Sequence, residues 1–132
     1  MGIFKLMKRS IFILLLILVA LILAGCGTYA SHYSAVLLVT TESSKGGSIS
    51  FSSFSGTKAF KFKSDGQLNY SAKLEEGKAT VYYDDGAKKE LFTIAAGQEI
   101  GPSSIPVDSG TVHVIIQTDG KCRQGEFRFD VK

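Results

Sequence analysis

The chain has 132 residues, with 15 Lys+Arg against 12 Asp+Glu, and two cysteines. That length gives one hydrophobic core and is short for two domains, and two cysteines allow no disulfide framework. The basic surplus equals Lys5, Lys8 and Arg9 at the extreme N-terminus, so the remainder is formally neutral; the net basic surplus that a binder of nucleic-acid phosphate backbones needs is absent from it.

Behind the basic start, residues 11–23 are unbroken apolar residues, followed by Ala24, Gly25 and Cys26. Basic region, apolar run and small residues are the three parts of a secretion signal. A membrane-spanning helix usually needs about 20 apolar residues; this run is shorter, and Thr28, Ser31 and His32 follow soon after it. Leu23-Ala24-Gly25-Cys26 resembles the lipobox of bacterial lipoproteins. The resemblance implies signal-peptidase cleavage before Cys26 and a diacylglyceryl group on its thiol. It also implies attachment to the extracytoplasmic face of a cell membrane or outer membrane. One acyl chain anchors only marginally, whereas two hold firmly. On this reading residues 1–25 are a signal peptide, 26–34 a lipidated N-terminus and short tether, and 35–132 the folded domain. Lipidation of Cys26 leaves Cys122 without a partner, so the fold must hold by packing.

Residues 35–41 form an apolar, β-branched run, and 42–47 a polar loop ending in two glycines. Residues 48–54 set Ile49 and Phe51 on one face, and 58–63 set Phe60 and Phe62 opposite Lys61 and Lys63. Asp65-Gly66 supplies a turn. Residues 67–74 alternate cleanly, with Leu68, Tyr70, Ala72 and Leu74 against Asn69, Ser71 and Lys73. Glu75-Glu76-Gly77-Lys78 reads as a hairpin loop. It would pair Leu74 with Ala79, Ala72 with Val81 and Tyr70 with Tyr83, all on one face.

Asp84-Asp85-Gly86 marks the next turn. In the strand over 88–94, Leu91 and Phe92 must point to opposite faces. Residues 95–110, with Pro102 and Pro106, read as a long connection. Residues 111–118 carry Val112, Val114 and Ile116 inward. After a loop with Gly120, Cys122 and Gly125, residues 126–131 carry Phe127, Phe129 and Val131 inward, which suggests pairing Ile116 with Phe129 and Val114 with Val131. Such alternation belongs to half-buried strands. About eight of them at this spacing predict an all-β, antiparallel two-sheet sandwich, jelly-roll or immunoglobulin-like. The domain is similar in pattern to small bacterial lipoprotein sandwiches, a likeness that implies no activity.

The residues name no catalytic set. His32 falls in the tether and His113 on an outward strand position. No Gly-x-Ser-x-Gly elbow occurs, and adjacent Asp84 and Asp85 diverge on an extended backbone, so no nucleophile, base and orienting acid are assembled. No Cys/His cluster has zinc spacing. Asp84-Asp85-Gly86 and Asp119-Gly120 offer oxygens of the kind calcium takes, but Asp-Gly is also what a turn selects by itself. Trp is absent. Tyr82, outward beside Asp84 and Asp85, and Phe92 are the candidates for stacking on a sugar ring, although aromatic residues in strands also serve packing. Cys122 reads first as an inert thiol. The expectation is a non-enzymatic, cofactor-free module held to the membrane through Cys26, acting on an envelope protein. Carbohydrate binding through Tyr82, Asp84 and Asp85 is the alternative and calcium binding a lesser one; nucleic acid is not expected as a partner.

Overall fold

A computed structural model describes residues 29–132; Leu23, Ala24, Gly25 and Cys26, with the whole signal segment, lie outside them. Nine strands follow in order: β1 (His32–Val36), β2 (Val39–Ser43), β3 (Gly46–Ser64), β4 (Gln67–Glu76), β5 (Lys78–Asp84), β6 (Lys88–Ala95), β7 (Gln98–Pro106), β8 (Gly110–Thr118) and β9 (Cys122–Val131). β1 begins at His32, inside the stretch expected to be tether.

The 19 residues of β3 are too many for one layer. Its first half, 46–54, pairs with β9, and its second half, 57–64, with β8. The strand folds over between them, so that the Lys63 amide donates to the Ser44 carbonyl at 2.7 Å. Two layers result, β3(first half)-β9-β4-β7 and β3(second half)-β8-β5-β6, and every pairing is antiparallel. β1 and β2 line the remaining edge of β3. The protein is thus an all-β antiparallel sandwich, rolled almost into a barrel, with the strand order of a jelly roll rather than of an immunoglobulin domain.

Two expected pairings and one expected connection are overturned by this order. Glu75-Glu76-Gly77-Lys78 is not a hairpin. β4 and β5 run on through Gly77 as one bent strand, pairing with β9 and β8 respectively, so Leu74 lies opposite Gly125 and Val81 opposite Ile116. Gly77 is required at this corner because its φ is +98° and a Cβ would stand 2.7 Å from Cys122 Sγ. β8 and β9 likewise do not pair with each other: Ile116 lies opposite Lys58 and Val81, and Phe129 opposite Gly47 and Tyr70. Finally, residues 95–110 are not one long connection, because Gln98–Pro106 forms β7. Both prolines fit there because β7 is an edge strand, where a missing N–H costs no ladder bond.

The predicted inward parity holds. Ile49, Phe60, Phe62, Leu68, Leu74, Val81, Val112, Val114, Ile116, Phe127, Phe129 and Val131 are all buried between the layers. Rings stitch the layers together: Phe127 of β9 stacks on Phe92 of β6 at 6.4 Å, Phe92 on Tyr70 of β4 at 5.5 Å, and Phe60 meets Phe129 at 5.9 Å. Phe92 is therefore a core ring, not an exposed platform, and Leu91 is its half-buried neighbour.

Candidate binding faces

The three residues singled out in the sequence lie at the β5 end and its turn into β6: Tyr82 and Asp84 face the outer side of the β8-β5-β6 layer, opposite Ile115 and His113, whereas Asp85 turns to the segment before β8. The carboxylates of Asp84 and Asp85 already have partners. The Tyr29 hydroxyl donates to Asp84 Oδ2 at 2.6 Å, and the Gly86 amide donates to Asp84 Oδ1 at 2.9 Å. The Tyr29 hydroxyl, followed by the Gly86 amide, holds the Asp84 carboxyl below its ordinary pKa. The same bond, with burial second, pushes the Tyr29 hydroxyl up to about 12. Asp85 Oδ2 accepts the Asp108 amide at 2.9 Å, tying this turn to the segment before β8, and Lys89 lies 3.5 Å from Asp85 Oδ1. That amide is the main reason its carboxyl is also held low. Tyr82 is half-buried, with Lys88 Nζ 4.5 Å from its ring centroid.

This cluster also contains His113. β5 and β8 set Asp84 opposite His113, and the Tyr29 ring meets the His113 ring edge-on at 5.2 Å. Local sequence patterns carry no sign of this contact, since Tyr29, Asp84 and His113 come from three distant places in the chain. Among the described residues no group of three or more His, Cys, Asp or Glu side chains converges as a metal site.

A second polar surface crosses the outer side of the opposite layer. Register places Ser50 of β3 beside Glu126 of β9, Glu126 beside Lys73 of β4, and Lys73 beside Glu99 of β7. Two adjoining hollows of about 420 and 200 Å³ share Lys73, Glu99 and Glu126, and Arg128 and Ser71 line the smaller one. Together they form a shallow groove with alternating charge. Lys73 and Arg128 both reach Glu126. One aromatic side chain, Phe51, lines the groove, and its ring belongs to the core. The sequence pattern marked these positions as the wet face of their strands; the row across four strands depends on long-range register. Cys122 is fully buried at the Gly77 corner, and burial pushes its thiol pKa up.

No family model matches the chain, and no curated protein does. Among solved structures it is similar to TmCBM61 in complex with beta-1,4-galactotriose, at 12% identity over 76% of this chain and 86% of that one, TM-score 0.43. A cupin superfamily protein from Desulfitobacterium hafniense DCB-2 is 14% identical over 80% of each chain, TM-score 0.34. A conserved protein of unknown function from Streptococcus pyogenes is 15% identical over 72% of this chain and 74% of that one, TM-score 0.35. Likenesses this distant carry no argument about ligand or activity.

Proposed function

We propose that this protein is a lipid-anchored, non-enzymatic binding module of the cell envelope, and that the groove across β3, β9, β4 and β7 receives its partner. The observation that carries the reading is the opposition of the two outer faces. Tyr29 is fastened to the outer side of the β8-β5-β6 layer, while the groove crosses the outer side of the other. Cys26 stands three residues before Tyr29, a reach of roughly 10 Å at about 3.5 Å per residue. An anchor on Cys26 would draw the first face toward the bilayer and leave the groove turned away from it. Lys73, Glu99 and Glu126 in one row, with Arg128 in the next, offer both charge signs side by side, which suits a polar protein surface and gives specificity through complementarity.

The test is in-cell photo-crosslinking from position 73 compared with position 61, followed by mass spectrometry. Reproducible protein adducts from position 73 are the expected result. Adducts from position 61 alone would overturn the assignment of the groove. No protein adduct, together with retention on polysaccharide that Tyr82→Ala abolishes, would replace it with the carbohydrate reading. Intact mass of the wild type and of Cys26→Ala tests the anchor separately: an acyl mass on the wild type that persists in the variant rules out Cys26 as the attachment point.

A further inference from the structure

We infer that the outer face of the β3(second half)-β8-β5 layer is a membrane-contact surface for anionic lipid headgroups, with Tyr29 as the clip that seats it; the inference rests on the lipid-anchor reading above. The N-terminal segment does not leave the domain at an edge. Ser31 Oγ accepts the Ala59 amide of β3 at 3.0 Å, and two residues earlier Tyr29 lies on His113 of β8 and bonds to Asp84 of β5. The chain therefore crosses this face toward its middle. Ile115 shares the outward parity of His113 yet is only 3% exposed. Its cross-strand neighbours are Ala59 and Tyr82, so it lies where that crossing passes. An outward isoleucine needs such a cover, and a fixed crossing at Tyr29 would hold an anchor three residues earlier in the sequence close to this face.

The charges on this face fit the same occupant. Lys61 and Lys63 project outward from β3 between buried Phe60, Phe62 and Ser64, and Lys88 is exposed where β6 begins. Among the described residues Lys61 and Lys63 have no carboxylate within salt-bridge distance, and Lys88, the cross-strand partner of Asp84, lies over the Tyr29 and Tyr82 rings without closing an ion pair, whereas Lys73, Arg123 and Arg128 on the opposite layer all have one. The acids on the face are engaged locally: Asp84 by Tyr29 and Gly86, and Glu90 by the Thr93 hydroxyl. Unpaired lysines on long apolar stems, held within a Debye length of the bilayer, gain from an anionic surface and lose that gain on a neutral one.

The experiment uses the purified, lipidated protein in vesicles of phosphatidylcholine with or without phosphatidylglycerol. Lys61→Cys and Lys73→Cys variants are labelled with a membrane-impermeant maleimide; buried Cys122 contributes little background. Labelling at position 61 is expected to be several-fold slower than at position 73 on phosphatidylglycerol vesicles. The gap should close in detergent, and it should narrow on neutral vesicles or with Tyr29→Ala. Equal rates on phosphatidylglycerol vesicles, with an acyl mass on Cys26, would overturn the contact surface while the anchor reading stands. Equal protection on both vesicle types would overturn the anionic-lipid assignment. Absence of an acyl mass would remove the anchor reading and this inference with it.

Discussion

On the outer side of the β9-β4-β7 layer, basic and acidic side chains sit in register and neutralise each other across the strands, and Ser48, Ser50 and Ser71 fill the spaces between them. On the outer side of the layer built from the second half of β3, β8 and β5, Lys61 and Lys63 stand apart from carboxylates, Ile115 is buried, and a tyrosine from outside the sheet lies across the middle. Both faces arise from the same alternation of inward and outward residues. The difference shows that parity decides only which residues face outward. What covers them is decided by cross-strand register and by where the N-terminal segment runs.

The largest expected effect removes the support common to both faces. Phe127 is fully buried between Phe51 and Phe92, and Phe127→Ala should cost about 3–5 kcal/mol. Urea unfolding should show both faces lost in one transition; separate transitions would mean that the faces are independent units. Next, Ile115→Ala should cost about 2–4 kcal/mol because the site is covered, whereas Ser71→Ala at an outward position of the other layer should stay within about 0.5 kcal/mol. Equal small effects would show that nothing covers Ile115.

Tyr29→Phe removes the bond to Asp84 and keeps the ring on His113, so about 1 kcal/mol should be lost near neutrality. The pH dependence has a definite sign. The Asp84 carboxyl is lowered in the fold, so its contribution is present above the unfolded value of about 3.9 and is lost as pH falls through the lower folded value. The Tyr29 hydroxyl is raised to about 12, so its contribution is complete below the unfolded value of about 10 and is lost as pH rises through the folded one. Thermal melts across pH should therefore show Tyr29→Phe with shallower acid and alkaline limbs than the wild type. The smallest effect falls on the groove: Lys73→Met should change stability by less than about 0.5 kcal/mol, because its contact with Glu126 is long, at 3.8 Å, and Lys73 itself is exposed. The same change should reduce adducts to a groove partner if the groove is used.

How far the sequence could be read follows from the range of each signal. Strand parity is local, and it was legible from Ile49 to Val131. The Asp84-Asp85-Gly86 turn was legible too, because it is a short hairpin whose residues serve the turn itself. The Gly77 corner was misread. A glycine between two alternating runs looks the same whether the chain doubles back or bends onward, and the six-residue register drawn across it was self-consistent without being real. β7 was hidden because two prolines and a glycine mask an edge strand, whose unpaired side tolerates them. Tyr82 and Asp84 share the outward face that strand parity gave them, whereas Asp85 turns to Asp108 and Lys89. The bonds of Asp84 to Tyr29 and of Asp85 to Asp108, and the row from Ser50 to Glu99, are long-range and left no mark in composition or spacing.

The place of β8 and β9 sets an order on assembly. They are the last two strands in the sequence, yet each lies in the middle of its layer: β8 between β3 and β5, β9 between β3 and β4. A chain that becomes available from its N-terminus can make the β5-β6 and β4-β7 pairs early, but it leaves β3 without an inner neighbour and β4 and β5 each with one open edge. Such edges are templates for pairing with other chains. Non-local closure of this kind is also slow. The final two strands therefore act late and complete both layers, so loss of β9 should yield an aggregating chain rather than a smaller folded one.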